Sequence, residues 1–331
     1  MNILILTDTK KHSNQNSLYA IIKEMSAHQD IGNILVADRD QLLNQRFFNG
    51  IDFTALHGIL ADVNFDWSNS KERLQQELRL VDLDQIDLIF MRLPRPLSDE
   101  YLMSLKEHFD LPFINDPLGM IKTSSKAFLL NITAYCPPMR LCKSQNEITE
   151  FSQNYPIVLK PLKDYGGKGV VKISDGQVDL GDKQLSIKDY FNTIDQQLQS
   201  EGYLAMKYLK NVTNGDKRLL VVDGEILASS LRMPANGSWI CNASRGGRSV
   251  ASEPSSHEIA MISKINHLLK ANGIFIYGVD TLEDDNGQRI ISEINTMSIG
   301  GWPQAQQQTE KPIIKIMLNK MIENVRNNNK N

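Results

Sequence analysis

The feature that most constrains this chain is a pair of acidic residues set into two otherwise apolar strands. The runs Ile274-Phe275-Ile276-Tyr277-Gly278-Val279-Asp280 and Ile290-Ile291-Ser292-Glu293-Ile294-Asn295 read as buried strands. If Asn286-Gly287 makes a two-residue hairpin turn, as its chemistry prefers, Asp280 falls directly opposite Glu293. Side chains so opposed have Cβ atoms about 4.5–5.5 Å apart. Glu293 and Asn295, two residues apart on one strand, share a face. Like charges facing each other destabilise a hairpin unless something compensates. A hard divalent cation does so, and two carboxylates with an amide oxygen suit magnesium. Two alternatives stay open: a solvated, mildly repulsive pair, and a longer loop within 281–289 that changes the register.

Composition narrows the partners. The 331 residues suggest two domains, or one with sub-lobes. Hydrophobic residues at 41% and charged residues at 23% exclude a largely disordered chain. With 36 basic and 39 acidic residues the net charge is −3, so no global field draws the chain to nucleic acid or anionic membrane. Cys136, Cys142 and Cys241 form no CxxC pair, which points to a reduced, cytoplasmic protein without structural zinc. No apolar run approaches the ~18 residues of a membrane span. The start, Met1 to Asp8, reads as a buried first strand rather than a signal peptide.

Along the first third, strand-like runs at Ile3–Leu6, Asn33–Val36, Asp87–Arg92 and Pro112–Asn115 alternate with helical spacing such as Ser17–Met25. That alternation predicts an α/β domain with a parallel sheet, whose ligands bind beyond the carboxyl ends of the strands. Thr7, Asp8 and Arg92 lie at such ends, as site residues or as ordinary loop-edge polar groups. In the middle third, Ile157–Pro161, the glycine-rich Asp164–Gly169 and Val170–Ile173 read as strand, loop, strand. A Walker A loop or a dinucleotide fingerprint must open a helix, and neither pattern occurs here. A glycine-rich hairpin can fold over phosphates, although a merely tight turn fits equally well.

Asp223-Gly224 predicts another hairpin, which places Arg218 opposite Ser229 and Arg232 on the other sheet face unless a bulge intervenes. Ser255 and Glu258 form a capping box for a helix whose apolar face is Ile259, Ile262, Ile265 and Leu269, ended by Gly273.

Together these features resemble the ATP-grasp superfamily, and within it the prokaryotic-type glutathione synthetases. The resemblance covers nearly the whole chain. It rests on Leu159-Lys160-Pro161-Leu162, Tyr165-Gly166-Gly167, the run Asn214 to Glu225, Gly246-Gly247-Arg248, Gly278-Val279-Asp280 and Glu293-Ile294-Asn295. It implies an ATP-grasp fold, α/β with α+β lobes, behind an N-terminal parallel-sheet (pre-ATP-grasp) domain. The expected divisions are residues 1–120, 121–205 and 206–325.

The resemblance also implies roles. Asp280, Glu293 and Asn295 match ligands of Mg2+ or Mn2+, and Lys126 and Lys160 match phosphate-binding lysines. Gly166, Gly167 and Gly169 lie in the loop over ATP. Met206, Lys207, Tyr208 and Leu209 match the adenine hinge, and Asp216 a position near the ribose. Arg218 matches the arginine at the reacting groups, with Arg232 and Arg248 as further catalytic candidates. Arg92, Asn242, Arg245, Ser298 and Gly300 are the substrate-side candidates.

Two departures bear on substrate. The enzymes resembled usually continue from Glu-x-Asn with Val-Thr-Ser-Pro-Thr, whereas this chain has Thr296-Met297-Ser298-Ile299-Gly300-Gly301-Trp302-Pro303. An arginine often found before Gly246 is replaced at Ile240 or Cys241, with Arg245 a possible substitute. The activity implied is an ATP-dependent ligation of γ-glutamylcysteine and glycine through an acylphosphate, by a homodimer or homotetramer. The alternatives are another small-peptide or amino-acid ligase, and a non-catalytic ATP-binding module. The stretch 234–254 is expected to be a lid loop over the acylphosphate.

Overall fold

The computed structural model describes residues 1–164, 166–181, 183–234, 239 and 248–328, and these build three sheets. The first contains β1 (Ile3–Thr7), β2 (Ile34–Asp38), β3 (His57–Ala61), β4 (Arg79–Leu80), β5 (Leu88–Arg92) and β6 (Phe113–Ile114). Its order is β4-β3-β2-β1-β5-β6. β2, β1, β5 and β6 are parallel, as the alternation of strands and helices predicts. Every residue of β1 and β5 is buried, which accounts for their unbroken apolar runs. β3 and β4 add an antiparallel edge that the sequence pattern does not announce. β1 lies between β2 and β5, so the carboxyl ends of these strands flank a topological switch point.

The second sheet is antiparallel, with β7 (Met139–Cys142), β8 (Ile157–Pro161), β9 (Val171–Ser174), β10 (Gln177–Asp179), β11 (Gln184–Ser186) and β12 (Tyr203–Lys207). The glycine-rich segment joins β8 to β9 in the expected strand–loop–strand order. Gly166, Gly167 and Gly169 all have positive φ, near 70°, which side chains other than glycine adopt at a cost.

The third sheet runs β15-β14-β13-β16-β17, with β13 (Asp216–Val222), β14 (Glu225–Met233), β15 (Arg248–Ser252), β16 (Ile276–Glu283) and β17 (Arg289–Asn295). The expected lid stretch is therefore partly regular, since 248–252 pairs with β14. Asn236, Gly237, Asn242 and Arg245 lie outside the described residues. Behind this sheet the helix Ser256–Ala271 starts with the expected capping box at Ser255 and Glu258. Its buried face is Glu258, Met261, Ile262, Ile265 and Leu269, while Ile259 is 53% exposed. The i, i+3, i+4 stripe starts one residue earlier than the apolar residues suggest, because a buried carboxylate occupies its first position.

Asn115, at the end of β6, ties the first sheet to the third. Its Nδ2 donates to the carbonyls of Ile276 at 2.6 Å and Thr296 at 2.8 Å. Its Oδ1 accepts from the amides of Phe275 and Ile276, both at 2.8 Å, so the buried amide is fully satisfied. Among the described residues no helix is long and apolar enough to cross a membrane.

Candidate active site

The carboxylate pair stands as expected, by a different route. β16 and β17 pair from Glu283 opposite Arg289, leaving a connection over Asp284–Gln288 rather than a two-residue turn. Counted from that connection alone, Asp280 would face Ser292. A bulge past Thr281 leaves Ser292 as the extra residue and restores Asp280 opposite Glu293. The bulge also frees the Ser292 carbonyl, which accepts from Lys160 Nζ at 3.0 Å. Gly278 precedes the pair because a Cβ there would sit 3.3 Å from Arg218 Cδ.

A second bulge corrects the expectation for Arg232. β13 and β14 shift register between Leu220 and Val221, so Arg218 faces Ser230 rather than Ser229, and Asp216 faces Arg232. Asp216, Arg218 and Arg232 then share one face. Arg218 is paired with Asp280 across β13 and β16 and grips both its oxygens, through Nε and through Nη2 at 2.8 Å. Arg232 Nη2 reaches Asp280 Oδ2 at 3.0 Å, and its Nε donates to Asp216 Oδ1 at 2.7 Å. Burial disfavours charge on Asp280, but Arg218 and Arg232 outweigh it and hold the carboxyl below its ordinary value. Burial and the neighbouring Asp280 charge push Asp216 upward, against the pull of Arg232.

Two lysines complete the cluster. Lys126 is almost fully buried, with Nζ on the Asp164 carbonyl and 3.8 Å from Glu293 Oε1. Burial lowers the pKa of Lys160, and Glu293 acts in the opposite direction. Asn295 Nδ2 lies 3.4 Å from Asp280 Oδ2.

These groups lie where two clefts meet. The first is lined by Gly166, Gly167, Met206, Lys207, Tyr208, Leu209 and Asp216 together with the charged cluster. Val158 and Leu282 add apolar surface to it. At the expected hinge, the amides of Lys207 and Tyr208 already donate to the Pro138 and Pro156 carbonyls, each at 2.8 Å. The second cleft runs past Pro94, Arg95, Ser124, Lys163 and residues 296–300, so it includes Ser298 and Gly300. Lys126, Gly166, Arg218, Glu293 and Asn295 line both.

Three expected residues stand elsewhere. Gly169 lines neither cleft and packs toward Pro161. Arg248 is exposed at the start of edge strand β15, outside both clefts. Arg92 is buried and lines neither cleft; its Nη1 donates to the Ile299 carbonyl at 2.8 Å, so it braces the loop beside the second cleft.

The family model for the prokaryotic glutathione synthetase ATP-grasp domain matches residues 125–310, more than half of the chain. The chain belongs to this family. It is an ATP-dependent ligase of the ATP-grasp fold. A glutathione synthetase of Brucella melitensis biotype 1 is 29% identical over 225 residues, 66% of this chain and 68% of that protein. One from Agrobacterium fabrum is 30% identical over 226 residues, 67% of each. Two solved structures share the fold across the chain. The D-cycloserine synthetase DcsG has a TM-score of 0.66 at 12% identity, covering 98% of this chain and all of its own. The D-alanine–D-alanine ligase of Bacillus anthracis, complexed with ATP, has a TM-score of 0.58 at 16% identity, covering 100% and 99%.

The donor chemistry of this ligase fits a hard divalent cation. Asp280 and Glu293 are opposed and Asn295 is adjacent, two carboxylates and an amide of the type such an ion takes, while Arg218 and Arg232 hold the Asp280 oxygens and Asn295 turns its Nδ2 toward Asp280. Among the described residues no group of three His, Cys, Asp or Glu side chains is placed to hold a metal ion, so the candidate set depends on the Asn295 amide beside its two carboxylates.

Sequence reasoning missed Trp239, which lines the first cleft. Its Nε1 donates to Asp179 of β10 at 3.1 Å, and its ring meets Tyr208 edge-on at 6.2 Å. A tryptophan two residues after Asn236-Gly237 was the available signal in the sequence. Ser292 and Arg95 carried none, since a bulge and a loop direction are not written in residue type.

Proposed function

We propose that this ligase joins γ-glutamylcysteine to glycine, consuming ATP and releasing ADP and phosphate. One observation carries the reading: Lys126, Arg218, Glu293 and Asn295 line both clefts at once, so a nucleotide γ-phosphate and a substrate carboxylate have a common meeting point. A carboxylate oxygen attacks the γ-phosphorus, and the bond to the bridging oxygen breaks to leave ADP and an acylphosphate. The amine nitrogen then attacks the acyl carbon and loses a proton, and phosphate departs with the electrons of the carbon–oxygen bond.

The chain supplies position and charge rather than a nucleophile. Lys126 and Lys160 hold phosphoryl oxygens, and Arg218, with Arg232 behind it, faces the charge that develops between phosphate and acyl group. Asp280, Glu293 and Asn295 would hold a magnesium or manganese ion, which when bound neutralises charge on phosphate oxygens. Val158, Met206 and Leu282 give an apolar bed for the base.

A second reading keeps the chemistry and changes the substrates to another small-peptide or amino-acid pair. It is favoured by Met297-Ser298-Ile299-Gly300, which lines the second cleft where the enzymes resembled carry Thr-Ser-Pro-Thr. Phosphate release with magnesium-ATP, measured over a panel of carboxylates and amines, decides between them. Fast release with γ-glutamylcysteine and glycine supports the first reading. Preference for another pair supports the second.

A further inference from the structure

The back of the third sheet is an apolar layer with one charged spot. Leu219, Val279 and Ile291 share a core cluster there with Ile262 and Ile265 of the helix Ser256–Ala271. At the end of this layer Lys217 and Thr281, both buried, stand directly opposite each other on β13 and β16. Side chains alternate faces along a strand, so the next row, Arg218 opposite Asp280, points the other way and lines the first cleft. The charged spot therefore lies behind the cluster that the clefts share, one row away from it.

Glu258 occupies that spot. It is fully buried, and both of its oxygens are taken. Oε1 accepts from Thr281 Oγ1 at 2.9 Å. Oε2 accepts from Lys217 Nζ at 2.9 Å and from the Ser255 amide and hydroxyl at 2.9 and 3.0 Å. One carboxylate thus ties β13 to β16, and both strands to the start of the helix. Thr281 is also where the register of β16 and β17 shifts: it faces Ile291, and Ser292 is left over before Glu293 meets Asp280. Ser292 Oγ donates to the Asp280 carbonyl at 3.1 Å, so the bulge is held by a hydroxyl on each strand. A slip of one residue here would turn Glu293 away from Asp280. Stability alone does not account for such an ion pair, because apolar groups of similar volume often do as well or better in a core. Fixing a register is its best-attested use.

We propose that Glu258 is a positioning residue, which holds from behind the register that brings Arg218, Asp280 and Glu293 together. It lines neither cleft and acts through Lys217 and Thr281. The inference rests on the reading of Asp280, Glu293 and Asn295 as metal donors and deepens it: the donor set is assembled by a clamp on the opposite face of the sheet.

The test separates positioning from stability by making the clamp apolar. The triple variant Lys217→Met, Glu258→Leu and Thr281→Val is compared with wild type by urea unfolding, by Mn2+ binding followed through the paramagnetic resonance of the free ion, and by kcat with the substrate pair that wild type turns over fastest. The expected result is an unfolding midpoint at or above that of wild type. Mn2+ binding should nevertheless weaken about 10- to 100-fold, the range for lost outer-shell support of a metal site. The value of kcat should fall by a similar factor, while KM for the amine stays near wild type. Unchanged Mn2+ affinity and kcat in a folded triple variant would refute the role of Glu258. If the triple variant does not fold, two single variants decide. Thr281→Ser keeps the hydroxyl and should bind Mn2+ and turn over nearly as wild type does, whereas Thr281→Val should show the loss; equal behaviour of the two refutes the clamp. If wild type itself binds no Mn2+, the metal reading falls, and the clamp stands or falls on the kcat of Thr281→Val against that of Thr281→Ser.

Discussion

Arg218 and Asp280 stand directly opposite each other on adjacent strands, and the guanidinium takes both oxygens of the carboxylate. The pair lies at the junction of the two clefts, so it sets the charge balance of the candidate metal site. Removing either partner exposes the other to an unbalanced environment, softened by Arg232 on the same carboxylate. Arg218→Met and Asp280→Asn are each expected to destabilise the protein, and the double variant by less than their sum. The coupling should be about 1–3 kcal/mol by denaturant unfolding in metal-free buffer. A coupling near zero would show that the pair does not form in solution. Turnover of Arg218→Met should fall roughly 10²–10³-fold.

Glu293→Gln keeps the shape of β17 and removes one charge from the proposed donor set. Turnover should drop by about 10²-fold or more, with unchanged unfolding midpoint and a higher metal concentration needed for half-maximal rate. A wild-type metal titration in this variant would remove Glu293 from the site.

Within residues 296–302, some positions can be changed without touching the frame that holds the loop. Thr296 is buried and accepts from Thr123 Oγ1 at 3.0 Å, and Trp302 is fully buried, so both belong to the frame. Met297 and Gly300 line the second cleft, and a Cβ at Gly300 meets nothing within 4 Å. Met297→Thr with Gly300→Thr should therefore shift the preferred carboxylate or amine and leave KM for ATP nearly constant. Equal losses for every substrate, together with weaker ATP binding, would mark these positions as structural.

Glu258 predicts a pH dependence of stability. It is fully buried behind the cleft-facing pair, accepting from Lys217 Nζ and Thr281 Oγ1, each at 2.9 Å. Burial opposes its charge, but the Ser255 amide, Lys217 and Thr281 together lower its pKa from the ordinary 4.5. A lowered folded value means that its contribution is complete above about pH 4.5 and is lost as pH falls through that lower value. Glu258→Gln should cost about 3 kcal/mol at neutral pH, and the gap to wild type should narrow in acid. Urea unfolding over a pH series measures both. A gap constant with pH would mean that the Glu258 carboxyl titrates alike in the folded and unfolded chains.

Trp239 offers an optical readout of the first cleft. Of the other two tryptophans, Trp302 is fully buried and Trp67 opens the helix Trp67–Gln76, 47% exposed. Magnesium-ATP should change the emission of wild type, and Trp239→Phe should remove most of that change. An undiminished response in the variant would place the reporter elsewhere.

Much of the architecture was legible because apolar periodicity states burial directly. The unbroken apolar runs of β1 and β5 announced strands covered on both faces, and the capping box at Ser255 and Glu258 marked a helix start. The convergence of Asp280, Glu293 and Asn295 was also readable, although through an assumed turn that the chain does not use. Its longer connection and the bulge at Ser292 shift the register in opposite directions and cancel.

Residue order alone therefore determined which side chains could carry the chemistry, and the tertiary structure decided which of them meet. Side chains alternate faces along a strand, so a single bulged residue moves everything beyond it to the other side. That is why Arg232 joins Arg218 on Asp280 against the pattern of its hairpin. Loop direction made the same kind of choice at the end of β5, burying Arg92 as a brace and turning Arg95 to the cleft. Both arginines follow from the same few residues of sequence. Only the packing of the 296–300 loop on Arg92 makes that residue a brace rather than part of the cleft wall.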